Sequence, residues 1–283
     1  MIEAARTTEG FYNSLWFATA PPPPETTLLD ADVSADVVVV GGGFTGLSTA
    51  LHLAERGVRT IVLEAHEIGT GGAGRNGGHV TPTFLHYLPS GVIDLLGPVW
   101  GPRMVAMQSN AATLVFDLIS RHDIACEAVQ SGFVQMAHTP QRIERLKRLV
   151  DEYSAIGQPC RLLDAQQVGE VTGSPRYHGG WQLDSSGNLN PLAYVRGLAR
   201  AAIAAGATIH TRSPVEKVTR SGTDWVATTR YGSVRASKVV FGTDAYGTGV
   251  VPGIDQSYYS MSVYNIATEP LTGKAAETIL PGR

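Results

Sequence analysis

The sequence predicts an α/β fold in which a nucleotide-type domain with a parallel sheet is interrupted by an inserted segment. A run of β-branched valines at 37–40, directly after Asp36, is typical of a strand that is covered on both faces. A glycine-rich turn follows, and then a helix from about Thr45 to Arg56 that ends at Gly57. A second apolar run at 59–64 completes a β-α-β unit.

Length and composition limit the class of protein. The chain has 283 residues, which at about 150 residues per domain favours two domains. Hydrophobic residues make up 43% and charged residues 17%, and these fractions exclude a disordered chain and a helical membrane protein. The net charge of −3 comes without a basic stripe, so we expect no nucleic-acid partner.

Targeting and metal-binding signals are also missing from the sequence. Residues 1–6 lack the basic and apolar pattern of a secretory signal, and no apolar run predicts a transmembrane segment. Cys126 and Cys160 match no zinc or redox spacing, so we expect no metal site. We therefore expect a cytoplasmic protein.

The middle of the chain, about 84–180, mixes helices and strands. Apolar spacing predicts a helix over 106–120. Thr139 as N-cap and Pro140 in the first turn predict the start of a second helix, which Gly157 ends.

The last third of the chain begins with a well-marked helix from Pro191 to Ala205. Asn190 is its expected N-cap, and Gly206 is expected to take the left-handed conformation after it. Extended segments are then expected at 208–211, at 215–218, in a hairpin over 225–236, at 238–242 and at 258–271.

The residues between the first strand and the first helix, Gly41 to Gly46, form a G-x-G-x-x-G turn. Gly41 permits the tight turn, Gly43 lets a pyrophosphate approach the backbone, and Gly46 lets helix and strand pack closely. The helix N-terminus presents free N–H groups and a partial positive charge to phosphates. Glu64, at the end of the second strand, suits the hydroxyl groups of a ribose and would repel a 2′-phosphate, which disfavours NADP. We expect a dinucleotide site here.

A second glycine cluster runs from Gly69 to His79 and holds six glycines among eleven residues. Glycine loses the most backbone entropy on ordering, so the cluster is either a mobile linker or a backbone held against a ligand. Arg75 and Asn76 lie within it, just after a β-α-β unit, and their presence favours the ligand.

These residues resemble the FAD-dependent D-amino-acid oxidase (DAO) superfamily, and above all its bacterial gamma-glutamylputrescine oxidase-like members. The resemblance is carried by Asp36 to Glu64 and by the Gly-Arg-Asn-Gly-Gly-His segment that ends at His79. Further similar stretches are Ser14 to Ala20, Gly187 to Pro191, Gly242 to Tyr246 and Ile266 to Leu271.

The resemblance implies an FAD-binding Rossmann-like domain of the GR2 type with an inserted α+β substrate domain. Relatives continue well past the Ile266 to Leu271 segment, so the C-terminal part of that architecture is expected to be missing. The expected organisation is an N-terminal lead-in at 1–35, an FAD-binding domain at 36–83 plus 181–253, and an incomplete substrate domain at 84–180 plus 254–283.

The resemblance also implies where FAD lies. Its ADP half is expected on the first turn and Glu64, the second glycine loop is expected along the pyrophosphate and ribityl chain, and Val215 is expected to offer backbone groups to the adenine. His79 and Arg75 are candidates to stabilise negative charge on the reduced flavin, and no catalytic residue is otherwise identified. The expected cofactor-binding residues are Gly41, Gly43, Phe44, Thr45, Gly46, Glu64, Ala65, Gly71, Gly72, Ala73, Gly74, Arg75, Asn76, Gly77, Gly78 and Val215.

The activity that the resemblance implies is oxidation of a C–N bond in a small amine, polyamine conjugate or amino acid. A hydride passes to flavin N5, the imine is hydrolysed, and dioxygen or another acceptor reoxidises the flavin. One alternative is a truncated, non-catalytic remnant that binds flavin or nucleotide. The other is an NAD-dependent Rossmann dehydrogenase, which would have no use for the second glycine loop.

Overall fold

The structure is a computed structural model that describes residues 12–84, 86–247, 249–250, 253–259, 261 and 263–281. Its strands are β1 Val33–Val40, β2 Thr60–Leu63, β3 His79–Val80, β4 Phe133–Met136, β5 Cys160–Leu163, β6 Gly180–Leu183, β7 Gly187–Asn188, β8 Thr208–His210, β9 Lys217–Ser221, β10 Asp224–Thr228 and β11 Ser233–Phe241. Its α-helices are α1 Leu15–Thr19, α2 Phe44–Ala54, α3 Pro89–Arg121, α4 Arg142–Ala155, α5 Ala165–Thr172, α6 Pro191–Ala204 and α7 Lys274–Thr278. Helix α3 is kinked at Gly97, where the backbone is not helical, with φ 74° and ψ 176°. Short 3-10 helices span Gly72–Gly74, Asp244–Tyr246 and Ile254–Gln256.

The contacts within the chain divide it into two compact units. The first unit comprises the described residues of 1–78, 119–127 and 190–265, and the second comprises those of 79–118, 128–189 and 266–283. The predicted domain bounds differ from this division at four places: 119–127 and the described residues of 254–265 belong to the first unit, and 79–83 and 181–189 belong to the second.

A six-stranded sheet in the order β8-β2-β1-β11-β10-β9 forms the centre of the first unit. β1 pairs in parallel with both β2 and β11, while β10 pairs antiparallel with β11 and β9. Val38 and Val39 are fully buried in the middle of β1. The predicted α/β class and the strand covered on both faces are confirmed.

Helix α2 follows β1 and packs against α6 in the same unit. The Asn190 side chain accepts a 3.0 Å hydrogen bond from the N–H of Ala193 and so caps α6. Gly206 has a φ of 103° just after the helix. Both predicted ends of this helix are confirmed.

The second unit contains the antiparallel sheet β4-β6-β5. Trp181 of β6 and Tyr153 of α4 are buried side by side, with ring centroids 5.3 Å apart. Leu146 and Leu149, both on the apolar face of α4, complete this small core.

Helix α4 begins later than predicted. Thr139 does not cap it, because the backbone carbonyls of Thr139 and Pro140 accept from the N–H groups of Arg142 and Ile143. Gln141 takes the N-cap position without a side-chain hydrogen bond. Backbone bonds of this first turn replace the expected side-chain cap.

The expected hairpin arm that ends at residue 236 and the expected strand at 238–242 are one continuous strand, β11. The reason is its partner: β1 pairs with β11 from Val33↔Val234 to Val40↔Phe241. Pairing along the whole of β1 therefore makes one strand of two segments that the sequence pattern separates.

The expected strand at 258–271 is wrong for the described residues of that segment, which form no strand. Residues 260 and 262 lie outside the described part. Tyr259 is 86% exposed and Ile266 is 96% exposed, so these two side chains lie in solvent instead of on the face of a sheet.

The predicted lead-in at 1–35 does not stand apart from the first unit, although residues 1–11 lie outside the described part. Thr27 forms a β-bridge with His210, and Leu29 is 1% exposed within the core around β1. Among the described residues, no helix is long and apolar enough to cross a membrane.

Candidate dinucleotide site

The first glycine turn lies directly after β1 and is held by close backbone contacts. Gly41 has a φ of 104°, and a Cβ atom there would lie 2.6 Å from the carbonyl oxygen of Gly242. A Cβ atom at Gly46 would overlap the carbonyl oxygen of Gly41. Because both obstacles are backbone atoms, neither position accepts a side chain without moving the turn.

Gly43 differs from its two neighbours in the turn. Its backbone is extended, with φ −87° and ψ −171°, and any residue can adopt that conformation. A Cβ atom there would meet only Ala73 Cβ, at 3.7 Å, among the described residues. Gly43 is also the N-cap of α2, and no side chain of the described residues caps this end. The positive end of helix α2 is thus lined by a glycine, which lets another group approach its backbone closely.

Glu64 follows β2 and lies against the same turn. Its Oε2 accepts a 2.6 Å hydrogen bond from the N–H of Gly42, and its Oε1 accepts a 2.9 Å bond from the N–H of His66. Its own N–H donates to the carbonyl of His210, and its carbonyl accepts from the N–H of Ser213. An ionised carboxylate has about four acceptor sites, so two bonds leave capacity for sugar hydroxyls.

The second glycine cluster contains a second G-x-G-x-x-G turn, Gly69 to Gly74, which was not among the turns predicted from the sequence. Gly69 has a φ of 85°, as Gly41 has a φ of 104°. Gly71 is an extended N-cap, with φ −79° and ψ −163°, and the 3-10 helix Gly72–Gly74 follows it. A Cβ atom at Gly74 would overlap the carbonyl oxygen of Gly69. The glycines at the first, third and sixth positions of the two turns therefore share the same features: a positive φ, an extended N-cap and a close contact with the first carbonyl.

The two turns meet at Gly43 and Ala73, where 3.7 Å separates a Cβ placed on Gly43 from Cβ of Ala73. Each turn starts a helical segment whose first N–H groups lack intrahelical partners. Two glycine-lined backbones that lie side by side suit a diphosphate, since backbone N–H groups bind phosphate oxygens and glycine permits close approach.

The side chains of Arg75 and Asn76 hold the second loop together. Asn76 Nδ2 donates to the carbonyls of Gly72 and Ala73, at 3.2 and 3.0 Å, and its Oδ1 accepts from the N–H of Gly78. Arg75 Nε donates a 2.6 Å hydrogen bond to the carbonyl of Thr70, and burial lowers the pKa of Arg75. Both side chains therefore stabilise the conformation of the second loop through hydrogen bonds to its backbone.

The remaining expected site residues lie in different surroundings. The ring of Phe44 lies 5.4 Å from that of Tyr194, and Thr45, Ala65 and Gly77 are exposed. Val215 is 9% exposed and its side chain belongs to the core around β1, so only its backbone is available to a ligand. His79 is exposed and starts β3 in the second unit.

The segment Gly242 to Tyr246, one of the stretches that carry the resemblance, also lines the second turn. Asp244 has a φ of 47°, and its Oδ2 lies 3.8 Å from a Cβ placed on Gly72. The ring of Tyr246 lies 3.4 Å from a Cβ placed on Gly71. The resemblance marks this segment as part of the flavin domain, and the structure adds which of its side chains lie against the second turn.

The residues of the first unit thus fit FAD: two adjacent glycine turns suit its diphosphate, and the carboxylate of Glu64 suits the adjoining ribose. Among the described residues, no group of His, Cys, Asp or Glu is arranged to hold a metal ion.

Comparison with known proteins gives the same cofactor. Residues 36–283 match the family described as DAO, FAD dependent oxidoreductase. The chain is 32% identical over 259 residues to the gamma-glutamylputrescine oxidoreductase of Escherichia coli, covering 89% of this chain and 59% of that protein. It is also 32% identical over 254 residues to a probable oxidoreductase, OrdL, of Haemophilus influenzae, covering 87% of this chain and 58% of that protein.

The fold is shared with a solved structure, glycine oxidase from Geobacillus kaustophilus. The TM-score is 0.65 and the identity 22%, over 79% of this chain and 58% of the other. The chain therefore spans a little under three fifths of the length of these relatives. The prediction of FAD is confirmed, since the matched family is FAD dependent. By its match over residues 36–283, the chain belongs to the DAO family of FAD-dependent oxidoreductases.

Proposed function

We propose that this chain binds FAD with its diphosphate between the two glycine turns, and that it acts in the oxidation of a C–N bond. The single observation that carries this proposal is the meeting of the two turns at Gly43 and Ala73, beside the fixed carboxylate of Glu64. The substrate class is a small amine, a polyamine conjugate or an amino acid.

The proposed binding roles follow from the backbone. The N–H groups at the start of α2 and of the 3-10 helix Gly72–Gly74 receive the phosphate oxygens. Glu64 accepts hydrogen bonds from the ribose hydroxyls while it holds the N–H of Gly42. Val215 offers its backbone to the adenine, because its side chain is committed to the core.

When bound, FAD would supply the two-electron acceptor for this oxidation. The substrate carbon beside the nitrogen would give up a hydride and the nitrogen a proton, water would hydrolyse the resulting imine, and dioxygen or another acceptor would take up the electrons. Arg75 is proposed to stabilise negative charge near the ring, since its guanidinium is anchored through Nε on Thr70. His79 is proposed for the same role from the start of β3.

The relatives support an amine as substrate. The Escherichia coli protein is named for gamma-glutamylputrescine, which is a polyamine conjugate. A cytoplasmic location and the absence of a nucleic-acid partner stay predictions from the sequence.

The test is reconstitution of the purified chain with FAD, followed by a panel of gamma-glutamylputrescine, putrescine, glycine and D- and L-amino acids. We expect bound flavin, and anaerobic loss of its oxidised absorbance with at least one amine. Peroxide or dye reduction then identifies the acceptor. A chain that leaves FAD free in solution would overturn the proposal.

A second candidate is a flavin-binding chain without turnover. It is favoured by the exposure of the described residues in 258–271, where Tyr259, Tyr264 and Ile266 are each at least 86% exposed. Tight FAD binding with no bleaching by any amine of the panel would support this candidate over the enzyme.

A further inference from the structure

A short segment before the sheet reaches the second glycine loop. We call residues 14–22 the N-terminal strap. Within the strap, the indole Nε1 of Trp16 donates a 3.0 Å hydrogen bond to the backbone carbonyl of Asn76. Asn76 is the residue whose side chain holds the carbonyls of Gly72 and Ala73. Trp16 therefore contacts the residue that organises the loop.

The strap is fixed on helix α6 at four places, one of which is a hydrogen bond from the Arg200 guanidinium to the Pro22 carbonyl. Asn190 Nδ2 donates to Thr19 Oγ1 at 2.8 Å, and Arg196 Nη1 donates to the carbonyl of Pro21 at 2.6 Å. The Arg196 guanidinium also lies 5.6 Å from the centre of the Phe17 ring. Arg196 is only 4% exposed, and burial lowers its pKa. A buried cation is costly unless it is paired with acceptors, so the carbonyl of Pro21 and the ring of Phe17 anchor the strap firmly.

The second glycine turn rests on the same helix. A Cβ atom at Gly69 would lie 2.5 Å from Leu192 Cδ1 and 2.8 Å from Val195 Cγ1, and one at Gly74 would lie 2.9 Å from Leu192 Cδ1. The strap and the second turn thus both pack on helix α6, and the hydrogen bond from Trp16 to Asn76 connects them directly.

Helix α1 has no stability of its own to explain its position. It has five residues, none of them buried, and isolated helices of this length do not persist in water. The position of helix α1 therefore depends on the contacts of the strap. In that position the indole of Trp16 binds the Asn76 carbonyl.

We propose that Trp16 is a positioning residue for the cofactor: its indole N–H fixes the Asn76 carbonyl and so holds the second glycine turn in the conformation that receives the FAD diphosphate. The inference rests on the proposed function, because it takes the second turn as part of the FAD site. Trp16 acts through Asn76 and is not a catalytic residue.

The test compares Trp16→Phe with Trp225→Phe in the full chain. Phenylalanine keeps an aromatic ring and removes the N–H donor. Trp225 lies in β10 of the same unit, beneath the guanidinium of Arg220 at 5.3 Å, so its replacement controls for the loss of an indole. FAD affinity is measured by titration calorimetry, and amide hydrogen exchange is followed over 69–78 in the absence of FAD.

We expect Trp16→Phe to weaken FAD binding by about 3- to 10-fold, the equivalent of one ordinary hydrogen bond, and to raise exchange in 72–78 alone. Trp225→Phe should leave both measurements as in the unmodified chain. Equal FAD affinity in all three proteins would overturn the inference while the proposed FAD site stands. Exchange that rises across the whole first unit would also overturn it, since Trp16 would then be merely structural. FAD binding by none of the three would overturn the proposed site itself, and the inference with it.

Discussion

The N–H of Gly42 donates a 2.6 Å hydrogen bond to Oε2 of Glu64, so the acidic residue that ends the β-α-β unit is bound to the middle of the glycine turn. The bond joins residues that are far apart in the chain and fixes the carboxylate beside the N-terminus of α2. Glu64 therefore shapes the turn in addition to offering acceptors to a sugar.

Glu64→Ala should weaken FAD binding by about 1–3 kcal/mol, the usual range for a lost hydrogen bond to a charged group. Titration calorimetry measures the change, and hydrogen exchange at Gly42 should rise in the same variant. The control is Glu67→Ala, which removes the same charge nearby; Glu67 is on the surface, 3.6 Å from Arg212. Its effect should stay below about 1 kcal/mol. Equal losses of FAD affinity in the two variants would contradict the prediction, because the effect would then come from long-range charge and not from a direct hydrogen bond.

Gly43→Val should abolish measurable FAD binding and leave the fold in place. The backbone at Gly43 is extended and open, so the apo chain should lose no more than about 1 kcal/mol from the changed N-cap. Flavin retention after gel filtration and unfolding in urea measure the two effects. An unchanged flavin content would refute the placement of the diphosphate.

Gly46→Ala should do the reverse and damage the apo fold. Its Cβ would overlap the carbonyl oxygen of Gly41, a backbone atom that cannot move alone. We expect the free energy of unfolding of the apo chain to fall by about 1–3 kcal/mol, the usual cost of overpacking. The urea midpoint should therefore be lower before any FAD is added. If the urea midpoint of Gly46→Ala were at or above that of Gly43→Val, the prediction that only Gly46 of these two glycines is needed for the apo fold would be wrong.

Gly74→Ala tests whether the second turn copies the first. A Cβ there would overlap the Gly69 carbonyl and lie 2.9 Å from Leu192 Cδ1, so a destabilisation of about 1–3 kcal/mol is expected. Gly169→Ala is the matched control, because it lies inside α5 with its nearest contact at 3.7 Å. That change should stabilise the chain by up to about 1 kcal/mol through helix propensity.

Alkaline pH should reveal the buried phenol of Tyr194. Burial, and to a lesser degree the nearby thiol of Cys126, raises the pKa of Tyr194 above the ordinary value of about 10. The folded chain therefore keeps this proton at a pH where the unfolded chain has lost it. The stability that the neutral phenol contributes is complete below pH ~10 and is lost as the pH rises further.

Tyr194→Phe should make the fall of unfolding free energy above pH ~10 shallower, by up to about 1.4 kcal/mol per pH unit. Urea unfolding at a series of alkaline pH values measures this slope. Tyr153, whose pKa burial also raises, accounts for part of the slope that remains. Tyr231→Phe, at an exposed position, should leave the slope unchanged; a similar slope in all three proteins would contradict the assignment to Tyr194.

Much of the fold follows from local patterns. The β-branched run predicts β1, the first glycine turn predicts the start of α2, and Asn190 with Pro191 predicts the start of α6. These features depend on residues a few positions apart, where backbone sterics and capping rules act directly. The cluster of glycines likewise indicates a loop held against a ligand, and the family match supports the cofactor.

The sequence by itself determined the β-α-β unit, the glycine turn and a dinucleotide site, because each depends on short spacings, while the family resemblance implied that the dinucleotide is FAD. Only the tertiary structure decided that Gly43 faces Ala73, that Glu64 binds Gly42, that β11 is one strand along β1, and that Trp16 reaches Asn76. These contacts join residues about 20 to 200 positions apart, and no spacing rule predicts which distant segments the chain path brings together.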